Sequence, residues 1–139
     1  MNLLRLITGR ISVSSLDPDA QAFVTAAGLT NPTQISATNQ LVLDLKSYGL
    51  WSKMIAIYPI VGGTATTHKY NRKDPRDLDA AYRLSFQGTW THDGNGALPS
   101  SGWAITYIYP NLAFSSNQDI HLSFYSRTNN TTTGYEMGC

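Results

Sequence analysis

The first apolar stripe of the chain follows a helical period and is bounded by helix-capping residues. Apolar side chains occupy the i, i+3, i+4 and i+7 positions of this stripe: Ala20, Phe23, Val24 and Ala27. Asp17 suits the N-cap, Pro18 the first helical position, and Gly28 the left-handed position after the last turn. The pattern therefore predicts a short amphipathic helix that ends at Gly28.

A second helix is predicted directly after the first. Asn31 is placed to cap it, Pro32 to open it and Gln34 to complete a capping box, while Gly49 ends it. Its buried stripe comprises Ile35, Thr38, Leu41, Val42, Leu45 and Tyr48. Because the connection is short, the two helices are predicted to form an αα-hairpin.

Residues 50–59 allow two interpretations. Helical spacing relates Leu50, Trp51, Met54, Ile55 and Tyr58, and Pro59 would stop such a helix. Residues that favour β-strands, such as Ile55 and Ile57, are also concentrated there. A short third helix and a strand are therefore predicted almost equally well.

After Gly62-Gly63 the pattern changes to the two-residue period of β-strands. Residues 82–90 alternate most clearly between apolar and polar side chains, which is typical of a half-buried strand. Further strands are predicted at 64–70, 103–109, 120–125 and from 134 onward, with a helical turn at 74–77, a chain reversal at 92–96 and a prolonged loop at 98–102. The spacing favours an antiparallel sheet and an α+β fold that divides near residue 60.

Charged residues are few in this sequence, and their distribution does not indicate a nucleic-acid partner. Charged residues make up 14% of the chain, against the usual value of about 25%, and the net charge is +1. The richest basic run, residues 69–83, is interrupted by Asp74, Asp77 and Asp79, so we interpret it as a solvated face of mixed sign. No window approaches the roughly 18 apolar residues that a membrane span requires.

Catalytic and metal-binding motifs find little support. His68, His92 and His121 lie in separate segments without metal-ligand spacing, and residues 93–96 match only the beginning of a calcium loop. Glu136 is the only glutamate, which leaves no evident pair of carboxylates for glycoside hydrolysis. No nucleophile elbow is found. We therefore predict a protein that is not an enzyme and uses no cofactor.

Two sets of residues are candidates for binding. Sugar rings could stack on the aromatic side chains of Trp90, Trp103, Tyr107, Tyr109 and Tyr125, with His92 and Asn95 as polar partners, although such aromatic residues more often belong to a core. The N-terminal residues 1–15 contain two arginines and no acidic residue. They are predicted either as a docking arm, carried by Leu4, Arg5, Leu6 and Arg10, or as a plain edge strand.

Eight motifs, in matching order along residues 16–139, resemble a set found in bacteriophage virion proteins. They are LDPDAQAF (16–23), LVLDLK (41–46), GLWSK (49–53), YPIVGG (58–63), KDPRDLDAA (73–81), WTH (90–92), GALP (96–99) and YSRTN (125–129). The resemblance implies a short helical N-terminal part that leads into a concanavalin-like, laminin-G-like β-sandwich of the jelly-roll type. It supplies no catalytic residue.

The resemblance also implies an organisation and a function. Residues 1–15 would be the docking arm, 16–60 the helical segment and 61–139 a sandwich portion. That portion is expected to be incomplete, because similar proteins continue past the point that matches residues 134–138. We expect a fibre or decoration subunit on the phage particle surface that contacts other virion proteins of capsid or tail. We also expect a homo-oligomer, which for a fibre would be a trimer. The alternative is a lectin-like module that binds host glycans.

Overall fold

The computed structural model describes residues 15–116 and 120–127. Within these ranges it contains four α-helices, two 3-10 turns and one two-stranded antiparallel sheet. The helices are α1 (Pro18–Ala27), α2 (Pro32–Ser47), α3 (Ala65–His68) and α4 (Pro110–Ala113), and the strands are β1 (Ser85–Asp93) and β2 (Gly96–Ile105). The predicted mixture of helix and antiparallel sheet is therefore confirmed.

Helices α1 and α2 begin and end where their capping residues predict. The Asp17 side chain accepts a hydrogen bond from the Asp19 backbone, and Asn31 Oδ1 accepts from the N–H groups of Thr33 and Gln34. Gly28 has a φ of 63°, the left-handed conformation expected of a helix C-terminus. The stripe of α2 is narrower than predicted, because only Thr38 and Val42 are buried; Leu41 and Tyr48 are 39% and 74% exposed.

Ion pairs join the start of α1 to the end of α2. Lys46 Nζ lies 2.6 Å from a carboxylate oxygen of Asp17 and 2.6 Å from one of Asp19. The Asp17 N–H also donates to Asn39 Oδ1 at 2.7 Å. These contacts place the two helices side by side, in the predicted αα-hairpin.

The core lies under α1 and contains a buried arginine. Its apolar members are Phe23, Val24, Ala27 and Leu29, with Leu16, Ile35, Val61 and Tyr70 packed against them. The guanidinium of Arg72, whose exposed fraction is 2%, stands 4.8 Å from the centroid of the Phe23 ring. It donates to the carbonyl oxygen of Thr38 at 2.7 Å and to the Thr38 hydroxyl at 3.1 Å. These bonds join α2 to the largely irregular segment between α2 and β1, residues 48–84, which we call the irregular segment.

Three sequence predictions for residues 50–78 are wrong. Neither the third helix nor the alternative strand forms at residues 50–59: a 3-10 turn, Trp51–Lys53, is followed by an extended Met54 and irregular backbone. The strand predicted at 64–70 is α3, which begins at a reciprocal capping box between Thr64 and Thr67. The helical turn predicted at 74–77 is absent and a 3-10 turn forms later, at Asp79–Ala81. Asp74 instead binds the Arg76 side chain, with Oδ1 to Nε at 2.7 Å.

Asn71 holds this irregular segment together. Its side chain is fully buried, and its Oδ1 accepts from the N–H groups of Ile57 and Lys73, each at 3.0 Å. Its Nδ2 donates to the carbonyl oxygen of Ala81 at 3.0 Å. One amide therefore closes three stretches of backbone that belong to no helix or sheet.

The two strands form a hairpin whose turn is Gly94–Asn95, within the predicted chain reversal. The loop predicted at 98–102 is wrong, since these residues belong to β2. Thr89 pairs with Ser101 and Trp90 with Pro99, so Ser100 is an extra residue, and this bulge accommodates the proline. The strand predicted at 103–109 ends at Ile105, and Tyr107, with a φ of 57°, takes the left-handed conformation.

The strand predicted at 120–125 is not present; residues 120–127 contain no helix or strand. Leu122, Phe124 and Tyr125 are each more than half exposed, so the alternating pattern has no sheet to pair with among the described residues. The strand predicted from residue 134, and the proposed arm residues Leu4, Arg5, Leu6 and Arg10, lie outside the described residues. Within the described part, no helix is long and apolar enough to cross a membrane.

Candidate functional site

The hairpin presents two faces of different character. Directly paired residues share a face, so Phe86, Trp90 and His92 lie on one side, together with their partners Ala104, Pro99 and Ala97. We call this the inner face, because it is turned toward α3. Ser85, Gln87, Thr89 and Thr91 lie on the other side with Ile105, Trp103, Ser101 and Leu98, which we call the outer face.

The outer face carries no charged side chain between Ser85 and Thr91 and exposes large apolar side chains; Asp93 lies at its turn end. Leu98, Trp103 and Ile105 are 52%, 63% and 38% exposed. The other side chains of this face are polar: the hydroxyls of its serines and threonines and the amide of Gln87. Gln87 pairs directly with Trp103. Such a face suits either a protein contact or a flat ligand.

The inner face is an aromatic cluster built over two glycines. Trp90 meets Phe86 edge to face, with ring centroids 5.1 Å apart, and its Nε1 donates to the Gln87 carbonyl oxygen at 2.9 Å. A Cβ at Gly102 would collide with Trp90 Nε1, so the indole covers the space that a side chain would fill. Gly88, paired with Gly102, has a φ of 75° and would collide with the Ser101 carbonyl oxygen if it carried a Cβ.

The inner face is joined to α3 through two histidines. The Gly63 N–H donates to His68 Nε2 at 3.1 Å, which makes Nε2 the acceptor and places the ring proton on Nδ1. His68 Nδ1 in turn lies 2.9 Å from His92 Nδ1. His68 therefore donates to His92, and the proton of His92 is on Nε2.

These two hydrogen bonds together require both imidazoles to be neutral, because a proton on His68 Nε2 would face the Gly63 N–H. Burial, with a smaller contribution from His92, lowers the pKa of His68 to about 4, while the carboxylate of Asp93 acts weakly in the opposite direction. Burial also lowers the pKa of His92. A proton added to His92 Nδ1 would face the N–H of His68, so protonation opposes the contact.

Four of the residues predicted for glycan contact, Trp90, His92, Asn95 and Trp103, are not brought together. Trp90 and His92 belong to the inner face, Trp103 to the outer face, and Asn95 to the turn, where its side-chain and backbone oxygens accept from Arg127. Only Trp103 offers an open ring. The contact between His68 and His92 was missed, because α3 was predicted as a strand and no pattern relates two histidines 24 residues apart.

Two clefts open on the described surface near these elements. One, of about 260 Å³, is lined mainly by backbone at Gly28, Gly62, Gly63 and Gly94 together with the start of α2. The other, of about 500 Å³, lies beyond the open end of the hairpin and is lined by Asp79, Ala80, Tyr82, Tyr107, Tyr109 and Leu112. The second cleft brings together three tyrosines from two segments of the chain.

Neither a metal site among the described residues nor a similar known protein indicates a function. Across residues 15–116 and 120–127, no three His, Cys, Asp or Glu side chains are grouped as a set of metal ligands. Comparison with known proteins finds no matching family model, no significantly similar curated protein and no significantly similar solved structure.

Proposed function

We propose that the chain is a non-enzymatic structural subunit of a bacteriophage virion, of the fibre or decoration type. The observation that carries the proposal is the outer face of the hairpin, where Leu98, Trp103 and Ile105 are exposed on a sheet of two strands. Two strands alone are marginally stable in water, and their free edges invite pairing. A subunit that assembles can cover such a face and complete such a sheet.

The finer architecture belongs to this proposal. Strands that neighbouring subunits add to β1 and β2 would produce the antiparallel, concanavalin-like sandwich that the sequence motifs imply, so the outer face would be covered only on assembly. The N-terminal region, including the docking arm, would then mount the subunit on capsid or tail. A symmetric trimer would give three copies of the hairpin equivalent surroundings.

Two measurements test the structural role. Mass spectrometry of purified particles, from the phage whose genome encodes the chain, is expected to detect the protein; its absence from particles would overturn the proposal. Light scattering of the purified complete gene product is expected to give the mass of an oligomer. Trp103→Ser is expected to reduce that mass. Tyr48→Ser, which changes an exposed aromatic residue on the helical part, serves as the matched control and is expected to leave it unchanged.

A second candidate function is carbohydrate binding at the host surface. The observation in its favour is the open ring of Trp103, 63% exposed, with the amide of Gln87 directly across the sheet. An indole face with neighbouring polar groups is suited to a sugar ring. The complete gene product is expected to bind members of a glycan array, and an array without any bound glycan would contradict this function while leaving the structural one intact.

A further inference from the structure

The cleft of about 500 Å³ at the open end of the hairpin has the size of a small-molecule site. Tyr82 approaches it from the segment before β1, and Tyr107 and Tyr109 from the segment after β2. Ser85 pairs with Ile105, so the last rung of the hairpin holds these two segments side by side. The cleft is therefore formed by two segments that the sheet holds together, and it does not depend on a single loop.

Two of the three tyrosines are held in a backbone conformation that an aromatic residue rarely adopts. The φ angles of Tyr82 and Tyr107 are 58° and 57°, in the left-handed region, where a side chain's Cβ is sterically disfavoured. Tyr82 is kept there by its neighbours: its N–H donates to the Asp79 carbonyl oxygen at 2.9 Å, and its carbonyl oxygen accepts from the Tyr58 hydroxyl at 2.6 Å. Conformations of this kind concentrate at binding sites.

The lining offers aromatic faces, phenol groups and one carboxylate. Arg83 Nε donates to Asp79 Oδ1 at 2.8 Å, and among the described residues no contact is found for Oδ2, which remains able to accept. Arg83 also pairs with Asp77, which Lys69 neutralises in turn, so the four charges balance and the cleft has no excess negative charge to attract a cation. Tyr109 and Leu112 are 58% and 79% exposed, so the mouth is open to a ligand larger than the cleft.

We propose that this tyrosine cleft binds one unit of a neutral saccharide. The sugar's C–H face would lie against the tyrosine rings, and its hydroxyls would donate to Asp79 Oδ2 and exchange hydrogen bonds with the phenols. The proposal rests on the carbohydrate-binding function above, but it assigns recognition to a site other than Trp103.

The test uses the complete chain and four probes: glucose, galactose, N-acetylglucosamine and, as a cation, choline. Each is titrated to millimolar concentration while amide NMR signals are followed. At least one sugar is expected to shift the signals of Tyr82 and Tyr107. Tyr109→Ala, at an exposed position, is expected to weaken that binding about tenfold, since it removes one stacking face. Tyr48→Ala, at an exposed aromatic position on the helical part, is the control and is expected to leave it unchanged. Trp103→Ser is compared with both variants to separate the cleft from the outer face.

The outcomes separate this proposal from the function on which it rests. If sugars bind and Trp103→Ser abolishes binding while Tyr109→Ala does not, the cleft is overturned and the carbohydrate-binding function stands. If no sugar shifts the cleft signals but the glycan array shows binding, the cleft is again overturned. If choline alone binds at Tyr82 and Tyr107, the assignment to a neutral saccharide is wrong.

Discussion

His68 Nδ1 lies 2.9 Å from His92 Nδ1, so α3 and β1 meet through two imidazoles that share a single proton between these nitrogens. The fixed acceptor role of His68 Nε2, opposite the Gly63 N–H, leaves the pair no second arrangement. The contact couples the helical part of the chain to the hairpin, and the hydrogen bonds from Gly63 through His68 to His92 are all made only while both rings are neutral.

This pair makes stability depend on pH in a defined window. The pKa of His68 is about 4 in the folded chain and about 6.5 in the unfolded chain, so the unfolded state binds more protons between these values. The contribution is fully present above about pH 6.5 and decreases as the pH falls toward 4, by up to about 3 kcal/mol. Urea unfolding at several pH values measures it.

The matched variant is His68→Gln. A glutamine can accept from the Gly63 N–H and donate to His92, but it does not titrate. We expect the free energy of unfolding of this variant to change less than that of the parent between pH 6.5 and 4. Equal pH dependence in the two proteins would contradict the role assigned to His68.

Arg72→Lys is expected to destabilise the chain by about 2–3 kcal/mol, because an ammonium cannot reproduce the paired donation to the Thr38 carbonyl and hydroxyl. Burial lowers the pKa of Arg72 to about 10, and the guanidinium makes a cation–π contact with the Phe23 ring. Arg76→Lys provides the control, since Arg76 is exposed and binds only Asp74 among the described residues. Its cost is expected to stay below about 0.5 kcal/mol. Chemical denaturation compares the two, and similar losses would refute the role of Arg72.

Gly102→Ala is expected to displace the Trp90 indole and to cost about 1–3 kcal/mol. The added methyl group would collide with both Trp90 Nε1 and the Gln87 carbonyl oxygen. Gly94→Ala, in the turn of the same hairpin, places its methyl group where nothing lies within 4 Å, and we expect little change. Near-ultraviolet circular dichroism reports the indole environment directly. An unchanged spectrum for Gly102→Ala would show that the indole does not occupy this space.

Replacing the two tryptophans of the hairpin is expected to have opposite consequences. Trp90→Ala removes packing against Phe86 and His92 and should cost about 3 kcal/mol in stability. Trp103→Ser, on the outer face, should change stability by less than about 1 kcal/mol while it reduces self-association. Thermal unfolding and light scattering of both variants provide the comparison. A large loss of stability from Trp103→Ser would mean that the outer face is part of the folding core.

Sequence patterns predict the structure best where it depends on residues that are close together in the chain. The N-caps Asp17 and Asn31 and the turn at Gly28 each act within a few residues, so their patterns could be read directly. Residues 64–70 carry β-forming threonines, yet the hydrogen bonds between Thr64 and Thr67 favour a helical turn. In this segment the capping hydrogen bonds outweigh the β-strand propensity of threonine.

Relations between distant segments could not be predicted. The inner and outer faces of the hairpin depend on its register, and the bulge at Ser100 changes which residues of β2 share a face. That shift separates Trp103 from Trp90, and no alternation rule applied to one strand at a time would find it. The tyrosine cleft likewise depends on Tyr82 and Tyr107, whose left-handed backbone conformation is rare for an aromatic residue and is not predicted from sequence.

The amide of Asn71 has a consequence for how the chain opens. It holds the backbone at Ile57, Lys73 and Ala81 at once, so withdrawing the Asn71 side chain breaks the hydrogen bonds of all three stretches together. The irregular segment should therefore exchange its amide hydrogens as one cooperative unit, with Ile57 and Lys73 sharing a common opening free energy. A region without regular secondary structure would then be as slow to exchange as a helix.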